Sequence, residues 1–106
     1  MMINIVLFND ESVLRIAKRA VAVFSGYEGY RTSENIIWLN GFYVKFLPKI
    51  ITLNFSQTNH RFDNDIIHGL KTILYGEEVY LSDDKRRSKY YKSVESSTLF
   101  DSFFNN

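Results

Sequence analysis

The chain has 106 residues, which is the size of one ordinary domain. Its 13 lysines and arginines balance 12 aspartates and glutamates, so the net charge is +1. This balance excludes a nucleic-acid binder that is held by bulk positive charge, and equally a polyanionic mimic of DNA. With 45% hydrophobic residues and no cysteine, the composition also excludes a disordered chain and a disulfide-stabilised scaffold.

An apolar strand and an amphipathic helix are predicted at the start of the chain. Residues 2–8 are apolar apart from Asn4 and include three β-branched side chains, which predicts a strand buried on both faces. Asn9 or Asp10 can cap a helix of about four turns, whose apolar residues recur at helical spacing up to Phe24. The outer face of this helix is predicted to be solvated and carries three basic residues: Arg15, Lys18 and Arg19.

The clearest local signal is Asn40-Gly41, which lies between two apolar runs. Asparagine followed by glycine supplies the two positive φ angles of a type I′ turn, so we predict a hairpin with strands 35–39 and 42–47. After Pro48, the alternating run 50–56 predicts a third strand with one dry and one wet face. The three strands should therefore form a meander.

A two-residue loop also fixes which side chains share a face of the hairpin. One face is almost entirely apolar, with Leu39 opposite Phe42 and Ile37 opposite Val44, and it is expected to belong to the core. The other face is mixed and is expected to be half exposed. Its cross-strand pairs are Trp38 with Tyr43 and Ile36 with Lys45.

The second half of the chain predicts further helices. An apolar stripe indicates a helix over 65–75, residues 79–81 indicate a short strand, and Ser82 can cap a helix that ends near Val94. Residues 96–106 form an aromatic tail. The whole chain is therefore predicted to be a single α+β domain over residues 1–106. Its antiparallel sheet is a meander of three to five strands, with two or three helices packed mainly on one face.

The densest charged segment is 85–92, where five cations lie beside two tyrosines. Such a patch suits carboxylates of a protein partner, or the phosphates and bases of a nucleic acid. A solvated helix face balanced by nearby acids is the third interpretation. On the predicted helix, Lys85, Lys89 and Lys92 fall on one side. The residues that we predict to form the polar contact surface are Lys85, Arg86, Arg87, Lys89, Tyr90, Tyr91 and Lys92.

Two groups of aromatic residues are candidate apolar anchors for a partner. Trp38 and Tyr43 lie on the mixed face of the hairpin, and both residue types are enriched at binding hot spots. In the tail, Phe100, Phe103 and Phe104 share one side of a helical turn. The tail either docks on its own domain or contacts a partner, including a second copy in a homodimer.

A second cluster of chemically active residue types runs from His60 to Asp65 and includes His68. It could bind a metal or transfer protons, but its spacing suits helix capping better. Small metal-free ribonucleases use lysine, arginine, tyrosine and histidine, and the chain supplies these types. No catalytic or cofactor motif occurs, so we predict no catalytic residue, no cofactor and no metal site. The residues that a ribonuclease site would use are His60, Arg61, Lys85, Arg86, Tyr90 and Tyr91.

Function is therefore predicted from few positive signals. We expect a small non-enzymatic binding protein that occupies a surface of a larger protein, as an inhibitor or accessory factor of a phage or mobile element. The alternatives are a nucleic-acid-binding protein that uses residues 85–92 and a metal-free ribonuclease. No apolar run is long enough to span a bilayer and no signal peptide is evident, so we expect a cytoplasmic protein with a protein partner and no membrane contact.

Overall fold

The computed structural model describes residues 1–55, 64–84, 87–94 and 98–105, in which the chain forms three helices and seven strands. The helices are α1 (Ser12–Phe24), α2 (Asn64–Ile73) and α3 (Thr98–Asn105). The strands are β1 (Met2–Leu7), β2 (Arg31–Ser33), β3 (Ile36–Leu39), β4 (Phe42–Leu47), β5 (Ile50–Phe55), β6 (Val79–Asp83) and β7 (Ser88–Tyr91). All seven form one antiparallel sheet in the order β2-β3-β4-β5-β1-β6-β7. The α+β class is confirmed, with more strands than predicted.

The predicted meander and its register are confirmed. β3, β4 and β5 are adjacent, and Trp38 lies opposite Tyr43 as expected. The prediction of a type I′ turn is wrong. Such a turn needs a positive φ at both central residues, and here only Gly41 has one, of 93°. Asn40 instead donates its backbone N–H to the carbonyl of Glu28 at 3.1 Å. A contact from outside the hairpin therefore helps to determine the turn type. A rule that considers only the Asn-Gly dipeptide cannot predict this contact.

One face of the sheet carries the core. The buried strand residues alternate along every strand of the meander, and the strand register aligns them on the same face. Rings from two helices reach this face: Phe24 of α1 lies 6.1 Å from Phe42, and Phe100 of α3 lies 5.5 Å from Tyr91, measured between centroids. The helices therefore cover one side of the sheet, as the sequence predicts.

Two predictions for the strands need correction. β1 is not buried on both faces: Ile3 and Ile5 are buried, whereas Met2 is exposed and Asn4 is half buried. β1 is a central strand, yet the helices cover only one of its faces. The second correction is β2, a strand that the sequence does not predict and that pairs with β3 through a two-residue turn.

The helix predicted from Ser82 to Val94 is wrong. The described part of this segment instead contains the end of β6 and the whole of β7, which pair as antiparallel strands, with Leu81 opposite Lys89 and Tyr80 opposite Tyr90. Asp83 closes the turn, because its backbone N–H donates to the carbonyl of Arg87 at 3.0 Å and its carboxylate accepts the N–H of Arg87 at 2.9 Å. The acidic residues that resemble a helix start therefore belong to a turn.

The aromatic tail forms α3 and packs on its own chain. Phe100, Phe103 and Phe104 are 0%, 2% and 5% exposed, whereas Leu99 is 70% exposed. The hydroxyl of Tyr91 donates to the carbonyl of Leu99 at 2.9 Å, which joins β7 to the start of α3. The three phenylalanines thus contribute to the hydrophobic core.

Truncation of α3 residues tests this packing. Phe100→Ala should lower the free energy of unfolding by about 3–5 kcal/mol, because it leaves a cavity in the core. Leu99→Ala, at the neighbouring exposed position, should change it by less than about 0.5 kcal/mol. Denaturant unfolding measures both values. Equal small effects would show that the tail is not part of the core.

Candidate functional site

The face of the sheet opposite the helices is the main candidate surface, and we call it the open face. Strand register aligns its side chains in three rows across the sheet. The apolar row consists of Leu47, Ile50, Val6, Tyr80 and Tyr90. The polar row consists of Ser33, Ile36, Lys45, Thr52, Asn4, Ser82 and Ser88. The cationic-aromatic row consists of Arg31, Trp38, Tyr43, Asn54 and Met2.

The apolar row is exposed along most of its length. Leu47, Ile50 and Tyr80 are 38–39% exposed and Tyr90 is 52% exposed. Phe8, which is 58% exposed, extends the row, since its ring meets Tyr90 edge-on at 5.3 Å between centroids. Neighbouring strands lie about 4.8 Å apart, so five strands carry this row over about 19 Å. Such a contiguous apolar band is a feature of interaction surfaces.

The cationic-aromatic row is held together by contacts along the row. The guanidinium of Arg31 lies over the Trp38 ring, 4.9 Å from its centroid, and the rings of Trp38 and Tyr43 are 5.0 Å apart. The side-chain amide of Asn54 donates to the Tyr43 hydroxyl at 3.1 Å. These contacts fix the orientation of the large side chains in this row.

The charged segment 85–92 does not form one surface in its described part. Lys85 and Arg86 lie outside the described residues. Lys89 lies on the helix side of β7 beside Tyr91, whereas Tyr90 is on the open face and Lys92 follows the strand. Because side chains alternate along a strand, the one-sided patch expected on a helix is lost.

Arg87 has partners inside its own chain. Its Nε lies 3.5 Å from the Asp83 carboxylate, and its guanidinium lies 4.6 Å from the centroid of the Phe103 ring. It also donates to the carbonyl of Phe103. The contacts of Arg87 therefore connect α3 to the β6–β7 hairpin.

The two tyrosines of this segment remain protonated at neutral pH. Partial burial, together with the carboxylate of Glu78, raises the pKa of the Tyr90 hydroxyl. Burial also raises the pKa of Tyr91, although the charge of Arg87 acts in the opposite direction. Tyr90 therefore offers the open face an uncharged ring and a hydroxyl.

A buried ionic cluster joins α1 to the residues after α2. Glu77 is 6% exposed and accepts hydrogen bonds from the Ser12 hydroxyl at 2.6 Å and from Arg15 at 2.8 Å. Arg19 lies 3.9 Å from the same carboxylate and donates to the carbonyl of Tyr75 at 2.8 Å. Arg15 and Arg19, on the face of α1 that is expected to be solvated, thus keep 43% and 33% of their side chains exposed but also pair with Glu77. Since Ser12 is fully buried, we interpret the cluster as structural.

The second sequence candidate is only partly described. His60, Arg61 and Asp63 lie outside the described residues, while His68 is exposed on α2. Within the ranges that are described, no three histidine, cysteine or acidic side chains gather as a metal site would require.

A concave region lies on the helix side, between α1 and the β2–β4 end of the sheet. It has a volume of about 530 Å³, and Leu14 and Val21 of α1 contribute to its lining. These two side chains are 65% and 43% exposed. This groove is mainly apolar and reaches the edge of the open face, because Ser33, Ile36 and Leu47 also contribute to its lining.

Comparisons with known proteins add no family to these observations. No family model, curated protein or solved structure matches the chain. Among the described helices, none is both long and apolar enough to cross a membrane.

The ionic cluster generates a stability prediction with an adjacent control. Glu77→Gln should lower the free energy of unfolding by about 1.5–3 kcal/mol, because it removes hydrogen bonds to a buried charged group. Glu78→Gln, one residue later on the exposed surface, should change it by less than about 0.5 kcal/mol. Thermal and denaturant unfolding compare the two variants. Similar values for both would mean that the cluster does not contribute to stability.

Proposed function

We propose that this chain is a small non-enzymatic binding protein whose open face occupies a surface of a larger protein. The observation that carries the proposal is the apolar row, which aligns side chains from five adjacent strands, four of them exposed and Val6 half-buried. Apolar side chains that are kept in water cost free energy, and burial against a partner recovers it. A rigid sheet also holds the row in one shape, so little ordering accompanies binding.

The chemistry of the open face favours protein over nucleic acid. The line from Leu47 through Ile50 to Val6 is aliphatic, and aliphatic side chains do not provide the stacking platforms that single strands need. Arg31 covers the ring of Trp38, so part of that ring is unavailable to a base. Arg31 and Lys45 are the only cations in the three rows, and so few phosphate contacts would give weak binding.

Three further parts of the proposal rest on the sequence: the non-enzymatic role, the origin in a phage or mobile element, and the cytoplasmic location. The missing catalytic motifs support a non-enzymatic role. The chain is rich in isoleucine, asparagine, phenylalanine, lysine and tyrosine, whose codons are AT-rich, and this bias supports an origin in a phage or mobile element. The lack of cysteine and of an apolar run long enough to span a bilayer supports a cytoplasmic location. An inhibitor or accessory factor needs only a contact surface, which fits a chain of this size.

Paired variants on the two sides of the sheet test the contact surface. Ile50→Thr with Tyr80→Thr removes apolar area from the open face while keeping residue types that suit strands. Immobilised wild-type protein should capture a partner from the source cell, and the purified partner should then bind the double variant roughly tenfold more weakly or worse.

The control is Leu14→Gln with Val21→Gln, which removes two exposed apolar side chains from the groove on the helix side. This variant should bind the purified partner as the wild type does. Loss of binding in the groove variant alone would contradict the proposal. Binding that survives in both variants would contradict it as well, since the partner would then contact neither surface.

A further inference from the structure

We infer that the partner surface carries carboxylates opposite Arg31 and Lys45, together with an aromatic or aliphatic side chain that enters the cavity beside Trp38. This inference rests on the proposed function, because it specifies the chemistry that the open face recognises. It concerns the β2–β4 half of that face. The apolar row is a separate determinant and is tested by different residues.

Arg31 is the first observation. The other arginines in the described ranges are paired inside the chain: Arg15 and Arg19 with Glu77, and Arg87 with Asp83. Arg31 is exposed and has no ion-pair partner among the described residues, and its guanidinium is held over Trp38. A guanidinium that is fixed in place but unpaired can bind a carboxylate through two hydrogen bonds.

Lys45 adds charge of the same sign nearby. It lies opposite Ile36 and Thr52 in the polar row, and within the described chain no carboxylate pairs with it. On the β6–β7 side, Glu78 accepts a hydrogen bond from the Tyr90 hydroxyl, and Asp84 follows β6, where its backbone N–H donates to the carbonyl of Met2. Both cations of the three rows therefore lie at the β2–β4 half, with Glu34 of the β2–β3 turn as the acid at its edge, and charge complementarity favours carboxylates of the partner opposite Arg31 and Lys45.

A cavity at the same end gives the partner an anchoring position. It has a volume of about 200 Å³ and lies at the Asn40-Gly41 turn, where Trp38, Phe42 and Tyr43 are among its lining residues. Its walls combine aromatic rings with the amide of Asn54. An apolar side chain of the partner would be desolvated in this pocket, near the charges of Arg31 and Lys45. Buried anchors of this kind are typical of binding hot spots.

A defined acidic probe tests this chemistry without knowledge of the natural partner. The probe is a labelled copolymer of glutamate and tyrosine, and a copolymer of lysine and tyrosine serves as its charge-reversed match. Trp38 is the only tryptophan of the chain, so its fluorescence reports directly on this end of the open face. The acidic copolymer should change the Trp38 emission at low salt and bind by anisotropy, and added salt should weaken it. The basic copolymer should do neither.

The matched variants separate local charge from net charge. Arg31→Glu with Lys45→Glu should weaken binding of the acidic copolymer roughly tenfold or more. Lys18→Glu with Lys89→Glu changes the net charge equally but on the helix side, and it should bind nearly as the wild type does. If the first pair unfolds, Arg31→Gln with Lys45→Gln removes the same charges more gently and should show the same direction of effect.

Several outcomes would overturn the inference. Equal losses in the two charge-reversed pairs would indicate general attraction, and a stronger response to single-stranded oligonucleotide than to the acidic copolymer would indicate a nucleic acid. A Trp38 emission that depends on protein concentration alone would indicate a second copy. Failure is also separable from that of the proposed function: if the captured partner loses affinity for the apolar-row variant but not for the charge-reversed pair, only the inference fails.

Discussion

The alternation of side chains along each strand is the constraint on which the rest of this structure depends. In the meander and in β1, apolar residues at every second position are buried together, and the register of the six strand pairs keeps them on one face. Three helices supply enough apolar surface to cover that face. The opposite face is then exposed to solvent by geometry, and whatever residues occupy it are available for contact.

This constraint decides which sequence candidates can act together. Trp38 and Tyr43 remain on the open face with Tyr90, although Tyr90 is distant from them in sequence. Residues 87–92 are divided between the two faces because they form a strand and its end. The phenylalanines of α3 are committed to the core, which explains why an aromatic tail need not indicate a partner.

The fold was predictable where local signals determine it. Asn40-Gly41 specified the hairpin register correctly even though its turn type differed, since a two-residue loop sets the pairing. The β6–β7 error arose because acidic residues followed by basic ones fit a capped helix as well as a turn. β2 had a usable signal in Glu34-Asn35, where Asn35 adopts a positive φ of 61°. The rows themselves were not predictable, because they depend on β1 lying between β5 and β6.

Thiol labelling measures most directly whether the open face is the contact surface. The chain has no cysteine, so Thr52→Cys and Ser82→Cys each place one thiol at the centre of that face, and Lys18→Cys places one on α1. With the captured partner at saturation, modification at positions 52 and 82 should slow by roughly tenfold or more, while position 18 reacts as before. Protection at position 18 with free reaction at positions 52 and 82 would contradict the account.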